Sequence, residues 1–263
     1  MALVARVEGV GLVGPGLSGW EASRAILAGR EPYTRAAAVI PAPDALPAVE
    51  RRRAGKSVKL ALAAGMAAAA ASGRPAGGLA AVFASSTGDG ENLHAICEAL
   101  ASEDRLISPT RFHNSVHNAP SGYWGIATGA TQAADSIAAF DASFAAGLLE
   151  ALGRLAAQPA QPVLLIAYDA PYPEPLHATR PILDAFAVAL VLAAPSQSTR
   201  GPTIAIDTGA GEPDRVADPA LESLRHGIPA ARSLPLLALL AAEKRGRAVL
   251  EYLDGLSLAV TVS

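Results

Sequence analysis

The sequence is poor in cysteine and in charged residues. Its 263 residues include one cysteine, Cys97, which excludes an internal disulfide framework and a thiolate metal cluster. Charged residues make up 17% of the chain and the net charge is −3, so nothing in the charge indicates a nucleic-acid partner. Because 51% of the residues are hydrophobic, we expect a large core or an extensive interface with a partner.

A hydrophobic run long enough to cross a membrane is also missing. The apolar segments Val58 to Ala71 and Leu234 to Ala242 are too short, or too rich in alanine, to span a bilayer as helices. The segment Met1 to Val13 has neither the basic start nor the long apolar run of a signal peptide. We therefore expect a cytoplasmic protein without a membrane span.

Strand-like and helix-like segments alternate along the chain, which predicts an α/β fold with layered sheets. Gly55 to Ser72 reads as a helix, and Arg247 to Tyr252 with Ser257 to Val262 reads as a β-hairpin. The four prolines between Pro171 and Pro181 predict an irregular segment on the surface.

One strand-to-helix elbow contains an acid at its turn. Ser136 to Phe140 reads as a buried strand and Ala142 to Leu152 as a tightly packed helix, so Asp141 is predicted to cap that helix. A thiol at a helix N-terminus becomes reactive, whereas a carboxylate there is only stabilised. Ser143, inside the first turn, is predicted to be a small packing residue and a poor nucleophile.

This elbow resembles the active-site region of the β-ketoacyl synthases, a family of the thiolase superfamily. Their pattern T-A-C-x-S carries the cysteine that accepts the acyl chain, and Ala139 to Ser143 reads A-F-D-A-S, with Asp141 at the nucleophile position. Other segments match the family in order: Val7 to Gly11, Leu17 to Ala28, Val82 to Gly90, Ile107 to Thr110, Asn118 to Gly122, Val163 to Ala167 and Asp184 to Leu192.

The resemblance implies a thiolase-like layered αβαβα architecture with an abbreviated second half. It implies one thiolase-like domain over residues 1–263, divided into a ketosynthase-like half at 1–195 and a shortened half at 196–263. The family's second half carries two histidines, in H-G-T-G-T and G-H-x-x-A-A-A-G patterns. No H-G-T-G-T occurs here, and His226 could be a remnant of either pattern.

These departures imply a non-catalytic subunit similar to the chain-length factors of type II polyketide and aryl polyene synthesis. Such a subunit pairs with an active β-ketoacyl synthase, receives acyl carrier protein and shapes the acyl tunnel; neither a cofactor nor a metal is expected. The residues that would line or plug the tunnel are Phe112, Val116, Tyr123, Phe140, Asp141 and Phe144.

Two histidines four residues apart, His113 and His117, could share a helix face if a helix began near Asn114. Zinc would require a third ligand and an intervening glutamate, both of which are missing. We therefore expect these residues to cap the next helix and to form hydrogen bonds. The resemblance implies that His113, Asn114, His117 and Asn118 lie at the interface or in the tunnel wall.

A cluster of five cations precedes and begins the helix predicted from Gly55. Acyl carrier proteins are acidic, and electrostatic steering toward this cluster is one interpretation. The other is a solvated helix end that keeps an apolar protein soluble. The cluster consists of Arg51, Arg52, Arg53, Lys56 and Lys59.

Two alternative functions remain open from the residues. One is a thiolase-fold acyl-transfer enzyme in which Asp141 works with His113, His117 or His226, and a hydrogen bond between them would favour it. The other is a homodimeric protein that binds acyl chains or acyl carrier protein without a ketosynthase partner.

Overall fold

The computed structural model describes residues 3–209 and 211–263. Met1 and Ala2, part of the segment considered above for a signal peptide, and Ala210 lie outside the described residues. The strands are β1 Leu3–Val13, β2 Ala80–Ala84, β3 Ala134–Ile137, β4 Val163–Asp169, β5 Phe186–Ala193, β6 Thr203–Gly209, β7 Gly246–Leu253 and β8 Leu256–Val262.

The helices vary widely in length, and α3 and α7 are the longest among the described residues. They are α1 Trp20–Leu27, α2 Ala48–Arg53, α3 Lys56–Ser72, α4 Gly90–Ala101, α5 Pro109–Asn114, α6 Ala119–Thr128, α7 Ser143–Ala157, α8 Leu176–Thr179, α9 Pro219–Gly227 and α10 Leu234–Ala242. Short 3₁₀ turns occupy Ala76–Gly78, Phe140–Ala142 and Pro229–Ser233. None of the described helices is long and apolar enough to cross a membrane.

The strands form one sheet in the order β3-β2-β4-β5-β1-β6-β8-β7. β2 pairs in parallel with β3 and β4, and the remaining pairs are antiparallel. The long strand β1 joins two parts of this sheet, because Arg6 to Val13 pairs with β5 while Leu3 to Arg6 pairs with β6. A bulge between Val7 and Gly9 marks the change.

Alternate residues of the central strands enter two separate apolar cores, one on each face of the sheet. α3 packs on one face and α7 on the other. Glycine permits both contacts: a Cβ at Gly11 would lie 2.0 Å from the Ala64 carbonyl oxygen of α3, and one at Gly147 would lie 2.8 Å from Ala84 Cβ. β7 also contacts α7, so α7 lies between β7 and the strands β2 and β4. The expected layered α/β architecture is confirmed.

Regular elements follow the sequence prediction closely. The helix predicted from Gly55 to Ser72 is α3, and the predicted hairpin is β7 and β8. The elbow differs from the prediction, because β3 ends at Ile137 rather than Phe140 and a 3₁₀ turn precedes α7.

The edge formed by β7 is covered by the chain itself. Asp214 donates its backbone N–H to the Val249 carbonyl at 2.9 Å, and its carboxylate accepts the Val249 N–H at 2.8 Å. The Ser257 hydroxyl donates to the Gly211 carbonyl nearby. The segment before α9 thus satisfies backbone groups at this edge.

The edge formed by β3 has no second strand beside it among residues 3–209 and 211–263. The carbonyls of Ala133 and Ile137 accept hydrogen bonds from the N–H groups of Ala81 and Ser85, each at 3.1 Å. Because backbone groups alternate in direction along a strand, those of Ala134 and Ser136 point away from β2. This edge therefore offers unpaired donors and acceptors.

Candidate functional site

The elbow after β3 is a tight turn fixed by Ser143. The Ser143 hydroxyl donates to the Phe140 carbonyl at 2.7 Å and accepts the Ala139 N–H at 3.1 Å. Phe140 adopts φ +50°, in the left-handed region that a bulky residue rarely occupies. Since Ser143 is buried and bonded to the backbone, its hydroxyl stabilises the turn and is not poised as a nucleophile.

Asp141 does not cap α7, which corrects the sequence prediction. The N-cap of α7 is Ala142, with no side-chain hydrogen bond, because the 3₁₀ turn carries Asp141 away from the first helical N–H groups. Its carboxylate instead accepts hydrogen bonds from Arg180 Nη2 at 2.8 Å and from Arg232 Nη2 at 2.9 Å, one on each oxygen. In these bonds both the donor and the acceptor are charged, whereas in a helix cap only the carboxylate would be.

The two arginines extend this contact into a network. Arg180, in the segment between α8 and β5, also donates to the Ser86 hydroxyl at 2.7 Å, and its guanidinium lies 3.5 Å from the ring centroid of Phe140. Arg232, in the 3₁₀ turn before α10, also pairs with Glu251 of β7. The network therefore ties the elbow to four distant parts of the chain.

Arg232 is the more buried of the two arginines, with 9% of its side chain exposed against 23% for Arg180. Burial lowers the pKa of Arg232, Asp141 opposes that shift, and the like charges of Arg225 and Arg180 add to it. Asp141 thus compensates two cations that would otherwise repel each other.

None of the three candidate histidines hydrogen-bonds Asp141. His117 Nε2 lies 3.0 Å from the Ser85 carbonyl, and His113 packs edge-on against Tyr123. His226 is exposed in α9. The prediction that His113 and His117 share a helix face is wrong, because α5 ends at Asn114 and α6 begins at Ala119. Within the described residues no cluster of three His, Cys, Asp or Glu side chains could hold a metal ion.

The aromatic and apolar residues predicted to line the tunnel fall into two groups. Phe112 and Phe140 are 67% and 66% exposed, and Val116 is also exposed. Tyr123 and Phe144 are instead buried in the cores on opposite faces of the sheet. The structure therefore does not bring the two groups together, and corrects Tyr123 and Phe144 to core residues.

The two asparagines near the histidines have different surroundings. Asn114 is buried, where it accepts a hydrogen bond from the Tyr123 hydroxyl at 3.1 Å and donates to the Arg53 carbonyl at 2.8 Å. Asn118 precedes α6 but makes no side-chain cap. Asn114 thus braces α5 against α2 and α6, while no cap comes from His113, His117 or Asn118.

The basic cluster is largely neutralised by neighbouring acids. Arg51 pairs with Asp44 at 3.1 Å, Arg53 with Glu50 at 3.1 Å, and Lys56 with Glu91. The remaining two cations, Arg52 and Lys59, have no ion-pair partner within the described ranges. Any electrostatic attraction from this region therefore depends mainly on these two residues.

Sequence reasoning missed a second carboxylate, Asp169, at the end of β4. It is fully buried and accepts hydrogen bonds from the N–H groups of Ser86, Thr87 and Ala230 at 2.8 to 3.0 Å, and from the Ser85 hydroxyl at 3.2 Å. Burial raises its pKa to about 7, against the opposing effect of these bonds. The only sequence signal was an acid directly after an apolar strand.

A comparison with protein families matches residues 23–245 to the model described as β-ketoacyl synthase, N-terminal domain. No curated protein sequence matches the chain significantly.

Solved structures with the same fold include two complexes of a ketosynthase with a chain length factor. One is the ketosynthase ApeO with its chain length factor ApeC from Xenorhabdus doucetiae, with 21% identity, a TM-score of 0.74, and 98% and 99% of the two chains covered. The other is the ishigamide ketosynthase/chain length factor, with 15% identity, a TM-score of 0.72 and the same coverage.

A third solved structure is a type II polyketide synthase acyl-carrier protein in complex with its ketosynthase, AntDE:AntF. It has 13% identity, a TM-score of 0.77, and 100% of this chain and 99% of the other chain covered. At these identities the likeness establishes the fold.

Proposed function

The chain belongs to the family of β-ketoacyl synthase N-terminal domains, and on that premise we propose that it is a non-catalytic ketosynthase-like subunit of the chain-length-factor type. In this role it pairs with an active β-ketoacyl synthase and shapes the acyl tunnel during fatty acid or polyketide synthesis, including aryl polyenes. The observation that carries the proposal is the Arg180–Asp141–Arg232 contact at the position of the family's nucleophile.

This contact argues against acyl transfer by Asp141. Both carboxylate oxygens accept hydrogen bonds from guanidinium groups, so neither is free to attack an acyl carbon or to take up a proton without breaking one of these bonds. Transfer of an acyl group from a thioester to a carboxylate would also produce a reactive anhydride. With no histidine bonded to Asp141, the acyl-transfer alternative has no working pair to support it.

The unpaired edge of β3 supports a partner chain on this side of the molecule. α6 packs against β3 and exposes Ile126, while the preceding segment exposes Phe112 and Val116. An open strand edge beside exposed apolar side chains is typical of a surface that pairs with another strand. The solved complexes of a ketosynthase with a chain length factor favour a ketosynthase as that partner.

Three residues are proposed to act on the acyl chain: Phe112, Val116 and Phe140. Their exposed side chains are available to a partner's tunnel, whereas Tyr123 and Phe144 contribute through the core. We propose a steric mechanism, in which a bulkier side chain at these positions ends chain growth earlier.

Acyl carrier protein is proposed as the second partner, in the cytoplasm. The acyl-carrier complex among the solved structures is consistent with this partner. Arg52 and Lys59 are the two cations of the basic cluster available to its acidic surface, because their neighbours are neutralised. We also propose that the chain is one domain whose ketosynthase-like half ends near residue 195.

The test is co-expression of this chain with the β-ketoacyl synthase encoded beside it, followed by size-exclusion chromatography and the mass of the complex. We expect a one-to-one pair that condenses acyl groups, and Phe112→Ala in that pair is expected to give longer products. A homodimer that ignores the ketosynthase would contradict the proposal and favour the acyl-binding alternative. Condensation by this chain alone would favour the enzyme alternative.

A further inference from the structure

We propose that Asp141 is a positioning residue that, through Arg180, holds the Phe140 ring projecting from the elbow as the wall that a growing acyl chain meets. That a growing acyl chain meets the Phe140 ring rests on the proposed function. That Asp141 holds Arg180 and the Phe140 ring in place concerns this chain alone.

Phe140 is unusual in both backbone and side chain. Its φ of +50° costs energy for a bulky residue, and its ring remains 66% exposed although the surrounding chain is well packed. The ring is covered on one face by the Arg180 guanidinium, 3.5 Å from the centroid. A cation over an aromatic face is attracted by the ring's quadrupole, so Arg180 fixes the direction of the ring.

Arg180 in turn depends on Asp141. Its Nη2 atom donates to Asp141 at 2.8 Å and to the Ser86 hydroxyl at 2.7 Å. Both bonds have a charged donor, but only the carboxylate also carries a charge of opposite sign, so Asp141 provides the larger share of the attraction.

The consequence of losing the carboxylate follows from the charges. Without Asp141, the guanidinium groups of Arg180 and Arg232 would face each other as like charges. Arg232 is more buried and keeps its ion pair with Glu251, whereas Arg180 is more exposed and has no other ion pair among the described residues. Arg180 is therefore the residue that moves away, and Phe140 loses its stacked cation.

The first experiment uses the isolated chain and NMR of its arginine side chains. Protons of Arg180 over the Phe140 ring experience a ring-current shift to high field, which Phe140→Ala assigns by removing the ring. We expect Asp141→Asn to abolish that shift. Glu222→Gln, which alters another arginine-paired carboxylate in α9, is the matched control and should leave it unchanged. An unchanged Arg180 shift in Asp141→Asn would overturn the proposal.

A second variant keeps the test decisive if Asp141→Asn does not fold. Arg180→Lys retains a charge for Asp141 but lacks the planar group that stacks on the ring. We expect it to fold and to shift the ring signals of Phe140, which Phe140→Leu assigns by removing them. If Phe140 signals remain as in the unmodified chain, Arg180 does not position the ring.

The second experiment measures products of the pair formed with the ketosynthase. Phe140→Ala, Asp141→Asn and Arg180→Lys should all lengthen the products, and Glu222→Gln should not. If the NMR result is as expected but no pair forms, the proposed function fails while the positioning role stands. If the pair forms and only Phe140→Ala lengthens the products, Asp141 has no positioning role.

Discussion

The two edge strands of the sheet differ in whether their outward backbone groups are hydrogen-bonded. At β7 the same chain returns, and Asp214 satisfies both the carbonyl and the N–H of Val249. At β3 the outward groups of Ala134 and Ser136 meet no strand among the described residues, and exposed apolar side chains of α5 and α6 lie on the same part of the chain. The difference indicates that the β7 edge is partly satisfied within the chain, whereas the β3 edge is free to accept a second chain, as the proposed function requires.

The largest effect should come from blocking the open edge with Ser136→Pro. Proline removes an N–H that points away from β2, so the pairing with β2 survives while a partner strand loses a donor and meets the ring. We expect affinity for the ketosynthase to fall by roughly 100-fold, about 3 kcal/mol, in isothermal titration.

Ser136→Ala is the matched control, because the Ser136 hydroxyl has no hydrogen-bond partner in the described part of the chain. It should bind as the unmodified chain does. Normal binding by the proline variant would mean that the β3 edge is not the contact.

The next effect concerns the buried carboxylate of Asp169 at the end of β4. Asp169 links the turn after β2 to the 3₁₀ turn before α10, and its pKa is raised to about 7. The native state therefore retains this proton up to about pH 7, whereas the unfolded state releases it near pH 4. Since the native state binds more protons between these values, stability falls as pH rises through that window.

Urea unfolding from pH 5 to 7 should show this loss, roughly 2 kcal/mol from this group. Asp169→Asn should lack that contribution and give a flatter profile. If the difference in stability between the unmodified chain and Asp169→Asn instead stays constant over this range, the four hydrogen bonds outweigh burial and the carboxylate is ionised throughout.

The smallest effect should come from opening the covered edge with Asp214→Ala. The loss of one side-chain hydrogen bond should reduce the free energy of unfolding by about 1 kcal/mol in urea. Affinity for the ketosynthase should not change, because β7 is at the other end of the sheet. Asp207→Ala removes an exposed aspartate of β6 and controls for the loss of charge alone. An equal loss of stability in that variant would mean that the hydrogen bond of Asp214 makes no contribution of its own.

The sequence predicted the regular elements because their signals are local. The family resemblance identified the segments of β2, β4 and β5, and the alanine-rich segment identified α3 nearly to the residue. The resemblance also placed Asp141 at the position of a nucleophile. A helix cap is predicted from neighbouring residues alone. The prediction for Asp141 failed because its two partners are 39 and 91 residues away.

The remaining site features are also long-range. Asp169 receives bonds from residues 61 to 84 positions away, and nothing near it in the sequence indicates a buried hub. The sequence of the five-cation cluster likewise does not indicate that Glu91 pairs with Lys56. Tyr123 and Phe144 looked like neighbours of Phe112 and Phe140, but the sheet separates their side chains into two cores.

The single open edge also sets a limit on assembly. A strand edge that accepts another strand normally permits indefinite addition, as in a fibril, when each added unit exposes a new edge. In this chain Asp214 already binds the backbone N–H and carbonyl of Val249 on the far edge, so this part of β7 is not available to another strand. If β3 pairs with a partner strand as proposed, we expect an assembly that closes at two chains and does not grow into a fibril, and the mass of the complex checks this.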